Sequence, residues 1–129
     1  MEITSIRGLN EVFILGVVCD NPNVRLTGNG ILVAKLTLAV TESLPKGETF
    51  VDRTLYVPVS AWAGRAEFVE RNIRKGSLCH VRGALHVASW KKVDGGVQKL
   101  FEVVAKEFLV LGREPEQLNR HTAARPEAD

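Results

Sequence analysis

Apolar and polar positions alternate with a period of two along most of this chain, the pattern of half-buried strands, and only residues 63–75 change to a helical period. Glu11 to Cys19 predicts the first strand. Both of its alternating sets, Val12/Ile14/Val18 and Phe13/Leu15/Val17, are apolar, as in a strand covered on both sides. Asp20-Asn21-Pro22-Asn23 breaks it and Val24-Arg25-Leu26 resumes an extended run. Thr27-Gly28-Asn29-Gly30 then predicts a hairpin turn, because Asn-Gly tolerates positive φ at both central positions. Ile31 to Thr41 is the second strand, with Leu32, Ala34, Leu36, Leu38 and Val40 on one face and Lys35, Thr37 and Thr41 on the other. Ser43 to Glu48 reads as a loop by its proline, glycine and charges. Phe50 to Trp62 is the third strand: Leu55, Val57, Val59 and Ala61 point inward, Thr54, Tyr56, Ser60 and Trp62 outward. Pro58 shares the outward parity and, offering no amide donor, predicts an edge or a bulge.

Ala63 to Lys75 is the one helix, with Ala66, Val69 and Ile73 at spacings of three and four and no good cap at its start. Arg74 and Lys75 fall where cations meet the negative helix end, and Gly76 supplies the left-handed stop. The fourth strand runs from there to Lys92. Cys79, Val81, Gly83, Leu85 and Val87 form its core face, and His80, Arg82, His86 and Trp90 its opposite face, ending against Lys91 and Lys92. Val93 to Val97 is a turn at the tip of a long basic hairpin, and Leu100 to Leu111 returns as the fifth strand. Gly112 ends the globular pattern. One domain over residues 1–112 is therefore expected, followed by a short, polar, disordered tail over residues 113–129. Five strands with one helix between the third and fourth, all-β otherwise, is the layout of the five-stranded OB-fold barrel, with a long hairpin joining its fourth and fifth strands. Periodicity alone also permits other small barrels or α+β sandwiches.

Composition changes little in this picture. At 129 residues, 45% hydrophobic and 25% charged, the chain has the balance of a soluble globular domain, and its start lacks the basic and apolar regions of a signal peptide. No run is long enough to span a bilayer, so a cytoplasmic protein with no membrane partner is expected. Cys19 and Cys79 lie in separate apolar strands outside any Cys-x-x-Cys pair, which predicts two buried thiols. The net charge of +2 divides into 14 basic and 11 acidic residues up to Gly112, and 3 basic and 4 acidic beyond. A binder of nucleic acid with so weak a mean field has to gather its cations on one face. No Gly-rich phosphate loop, Gly-x-Ser-x-Gly elbow or Cys/His metal set occurs in the sequence, and His80 and His86 have no third ligand nearby. No enzyme, cofactor or metal is expected.

With the blocks laid out in order, residues 9–112 resemble the bacterial single-stranded DNA-binding proteins. The resemblance rests on Leu9-Asn10-Glu11-Val12 with Ile14-Leu15-Gly16, on Pro22-Asn23-Val24-Arg25 with Asn29-Gly30, and on Leu36-Thr37-Leu38-Ala39. Val57-Pro58-Val59 through Trp62 and Ala66-Glu67 continue it, and Arg74-Lys75-Gly76-Ser77 with Val81, Gly83 and Trp90 is the most specific block. It implies an OB-fold whose surface binds single-stranded DNA in replication, recombination or repair. Trp90 matches a stacking tryptophan, and Trp62 and Tyr56 match aromatic positions of the third strand. Arg25, Lys35, Arg74, Lys75, Lys91 and Lys92 stand as phosphate contacts. It also implies a homo-oligomer, a homotetramer or a dimer.

Some positions depart from the family. Leu44 stands where many members have a stacking tryptophan, Asn72 where some have a tyrosine, and Val17-Val18-Cys19 where Asn-Leu-Gly is usual. Fewer platforms imply weaker binding or a shorter wrapped path, since each is worth ~1–3 kcal/mol per base. Replication and repair proteins stand as further partners, although the acidic, apolar tip through which members recruit them is missing from Arg113–Asp129. Gly16-Val17-Val18-Cys19 and that missing tip also resemble the primosomal replication proteins of the N type, and the alternative they imply is an adaptor acting mainly through protein contacts. The Lys-Gly-Ser and tryptophan block fits the DNA-binding proteins better.

Overall fold

A computed structural model of the chain describes residues 6–113, 124–125 and 127–128. Its elements are β1 (Val12–Val18), β2 (Asn23–Leu26), β3 (Leu32–Lys46), β4 (Thr49–Trp62), α1 (Gly64–Asn72), β5 (Ser77–Lys91) and β6 (Val97–Arg113). The predicted first strand is β1, and the extended run that resumes after the Asp20-Asn21-Pro22 break is a separate short strand, β2. β1 pairs with β5 and β2 with β3, so this one stretch of chain serves both sides of the structure. The order β1-β5-β6-β4-β3-β2 closes on itself where Val17 and Val18 pair with Ala39 and Leu38 of β3, giving the OB-fold barrel. On the other side a two-residue parallel pairing joins Val59 and Ser60 of β4 to Val103 and Val104 of β6. β4 has β3 along its whole length but meets β6 only there, and Pro58 stands where that second ladder begins.

The core is built from the inward parity of the strands: Val18, Ala34, Leu36, Leu38, Val59, Ala61, Cys79, Val81, Val103 and Ala105. Ala66 and Val69 of α1, with Ile73 just after it, close one end and have no exposed surface. Gly16 and Gly83 mark the tight crossings. A Cβ on Gly16 would lie 2.6 Å from the Ala39 carbonyl oxygen, and one on Gly83 would run into that of Val104.

Several expectations are corrected. Ser43 to Glu48 is not a loop: β3 and β4 continue to Lys46 and Thr49 as an arm that turns at Gly47-Glu48. Gly47 alone there has positive φ (62°), the geometry of a two-residue turn with glycine first. At the first hairpin only Gly30 takes positive φ (81°), because the loop spans Thr27 to Ile31 and Thr27 Oγ1 accepts the Ile31 amide. The helix ends three residues early, since Ile73 is already extended (φ −115°, ψ 129°). Arg74 does meet the helix end, its Nη1 donating to the Glu70 and Ile73 carbonyls at 2.7 and 2.9 Å. Gly76, at φ 89°, serves the following turn instead and donates to the Val18 carbonyl.

Burial departs from parity where the strands outrun the barrel. Leu55, Leu85 and Val87 keep inward parity yet are exposed, because the β3–β4 and β5–β6 arms extend past the last residues that have a strand opposite. Ser60, of outward parity, is fully buried. Phe13 and Leu15 are exposed, so β1 is covered on one side only within the single chain. Cys79 is buried but Cys19, just past β1, is half-buried; both thiols are free. Burial pushes the Cys79 thiol up to about 11 and raises Cys19 as well. Of the predicted tail, Arg113 closes β6 and residues 124–125 pair with 127–128; the rest lies outside the described residues.

Candidate nucleic-acid interface

Antiparallel partners carry their side chains on the same face, so the registers lay out the outer surface row by row. One row across β2, β3 and β4 is Arg25, Val33 and Trp62, and the next is Asn23, Lys35 and Ser60. Thr37 and Pro58, then Ala39 and Tyr56, then Thr41 and Thr54 follow on β3 and β4, the last pair bonded hydroxyl to hydroxyl at 2.9 Å. Lys35 Nζ reaches Glu102 Oε2 of β6 at 3.1 Å, which joins this surface to the outward parity of the β5–β6 arm. There Glu102 faces His86, Leu100 faces Ala88 and Gln98 faces Trp90.

Three aromatic side chains project from this surface, Tyr56 at 68%, Trp62 at 41% and Trp90 at 46% exposure, so none of them is core. Trp62 Nε1 donates to Ser60 Oγ at 3.3 Å, which orients the indole. Tyr56 borders a shallow groove shared with Val17, Cys19, Ala39, Thr41 and Lys75. The rings are anchored by strands paired on at least one side and keep roughly half of their surface exposed, which leaves room for a flat base to stack.

The predicted cations divide. Arg25 shares the row of Trp62, Lys35 lies beside it in ion-paired contact with Glu102, and Lys75 reaches the Tyr56 groove. Lys92 stands at the turn of the β5–β6 arm, where its amide bonds the Gly96 carbonyl. Lys91 has the parity opposite to Trp90, so it leaves the other side of the arm. Arg74 is drawn to the helix end and a cleft with Asn21, Val24 and Glu70. His80 stands 6.3 Å from Phe13, six residues along β5 from His86, so the two imidazoles do not meet. Among the described residues no three His, Cys, Asp or Glu side chains come together.

Sequence reading missed Ser60 and Glu102. Ser60 is fully buried on an outward position, and Glu102 is a carboxylate of 8% exposure within the face. A glutamate between the apolar pairs Leu100-Phe101 and Val103-Val104 was the available signal, but its partner Lys35 is 67 residues away in sequence. Farther along the same outer surface Arg82 Nη1 and Lys106 Nζ bind Glu11 at 3.1 and 3.0 Å, and Arg82 Nε binds Glu107 at 3.3 Å. These contacts hold the Glu11 carboxyl below its usual range, the Lys106 hydrogen bond first and that of Arg82 second. No helix among the described residues is long and apolar enough to cross a membrane.

A model of the single-strand binding protein family matches residues 9–111. The single-stranded DNA-binding protein of Deinococcus radiodurans is 34% identical over 113 residues, covering 85% of this chain and 37% of its own length. Single-stranded DNA-binding protein 1 of Clostridium acetobutylicum is 32% identical over 108 residues, covering 80% of this chain and 94% of its own. The chain spans 65% of the corresponding protein of Xylella fastidiosa, so in some relatives much of the sequence has no counterpart here. A solved Plasmodium falciparum structure described as an SSB complex with ssDNA superposes with a TM-score of 0.77 at 20% identity, over 82% of this chain and 97% of that one, and establishes the likeness of fold. The matched span takes in every element from β1 to β6 but for the last two residues of β6, and with it the chain belongs to the single-strand binding protein family.

Proposed function

We propose that this chain binds single-stranded DNA and shields it during replication, recombination or repair, with no catalysis of its own. The observation that carries the reading is the placement of the exposed Tyr56, Trp62 and Trp90 on one outer surface, with Arg25 and Lys75 beside them. Cations capture the phosphates, and bases stack on the rings. The curated relatives carry the single-stranded DNA-binding name, which favours this over the adaptor alternative. A cytoplasmic site of action belongs to this reading. Assembly as a homo-oligomer, a tetramer or a dimer, is supported by the exposed Phe13, Leu15, Leu109 and Leu111 on the outer surface of β1 and β6, which one chain leaves uncovered. Titration of a fluorescently labelled dT oligonucleotide at two salt concentrations tests the reading. Binding that weakens with salt supports it, and absent or salt-insensitive binding refutes it.

A further inference from the structure

Glu102 is the one buried carboxylate among the described residues, it lies in the middle of the proposed binding surface, and both of its oxygens are engaged. Oε2 accepts from Lys35 Nζ at 3.1 Å; Oε1 accepts from Ser60 Oγ at 3.4 Å and lies 3.7 Å from His86 Nδ1. An ionised carboxylate only accepts, so the Ser60 hydroxyl spends its single proton there and turns a lone pair to Trp62 Nε1, 3.3 Å away. The charge on Glu102 therefore sets the direction of a chain of hydrogen bonds that ends on the indole. It also holds the nearest ammonium group of the surface as its own counter-ion. The Glu102 side chain is only 10% exposed while that of Lys35 is 42% exposed, so water reaches this pair from the lysine side alone.

We propose that Glu102 is a positioning residue of the DNA-binding surface: through Ser60 it fixes the Trp62 indole, and by retaining Lys35 it keeps that lysine from contacting phosphate. The proposal rests on the reading of this surface as one for single-stranded DNA. It sets Lys35 apart from Arg25, which makes no ion pair among the described residues.

The test combines salt-dependent titration of a dT oligonucleotide with acrylamide quenching of Trp62 emission in a Trp90→Phe background. Lys35→Gln is expected to leave the slope of log affinity against log salt unchanged. Glu102→Gln, which keeps the shape and removes the charge, releases Lys35 and steepens the slope by ~0.7, one phosphate contact on a single strand. Adding Lys35→Gln to Glu102→Gln returns the slope to that of the unmodified protein, which separates release of the lysine from the general loss of a negative charge. Ser60→Ala and Glu102→Gln both make Trp62 easier to quench, and Ser60→Ala alone leaves the slope unchanged. A slope lowered by ~0.7 in Lys35→Gln would make that lysine a phosphate contact and overturn the proposal. Unaltered quenching in both Ser60→Ala and Glu102→Gln would overturn it equally. If the unmodified protein binds no oligonucleotide, the DNA-binding reading itself has failed, and the quenching arm still decides whether Glu102 fixes the indole.

Discussion

Ala63 has the one positive φ among the non-glycine residues described, with φ 56° and ψ −122° at the junction of β4 and α1. Strain of this kind costs ~1–3 kcal/mol and glycine relieves it, so Ala63→Gly is expected to raise stability by about 1 kcal/mol in urea unfolding. An unchanged or lower midpoint would remove the strain from the account. Trp90 is a different case. Half-exposed on the β5–β6 arm, it bears on the proposed binding and little on the core, so Trp90→Ala is expected to weaken dT binding by ~1–3 kcal/mol, roughly 5- to 150-fold, with little change in melting temperature. A large fall in melting temperature would identify the indole as packing. At this scale the sequence was readable wherever period two decides the answer, and the outward parity of Tyr56 and Trp62 followed from it directly. Ser60 and Glu102 were not, because a buried polar side chain is revealed by its partners, and those come from other strands.

Between elements, the least tolerant point is the crossing of β5 and β6 at Gly83. A register shift between Arg82 and Gly83 brings the strands so close that a Cβ would meet the Val104 backbone and the Val103 side chain. Gly83→Ala is therefore expected to destabilise by ~1–3 kcal/mol or more, read by chemical denaturation; a neutral result would mean that the bulge relaxes. Strand order and helix position were legible from turn residues and apolar periods. Element ends were less so. Pro45 and Gly47 signal a break wherever they stand, but glycine at the first position of a two-residue turn, with proline opposite Phe50, lets the hairpin run on. The apolar faces of Leu55, Leu85 and Val87 look like core in one dimension, and only the length of the opposing strands shows that the barrel has already ended.

Over the whole molecule the outer surface divides into an apolar patch around Phe13, Leu15 and Leu109, a charged cluster of Glu11, Arg82, Lys106 and Glu107, and the aromatic face beyond. The cluster makes stability depend on pH. Because Glu11 titrates below its ordinary value of 4.5 in the folded state, its contribution is present above that pH and is lost as pH falls through the lowered value. Glu11→Gln should accordingly melt below the unmodified protein near neutrality and converge with it in acid, the gap narrowing in high salt. A gap that persists in acid would assign the loss to packing. The central claim concerns the aromatic face, and the most direct measurement is indole emission during dT titration of Trp62→Phe and Trp90→Phe, each retaining one tryptophan, at two salt concentrations. The account predicts that both remaining indoles are quenched, each along its variant's binding curve, and that both curves move to weaker affinity as salt rises. An oligonucleotide that binds while neither indole responds, or that binds equally at both salt concentrations, would contradict it.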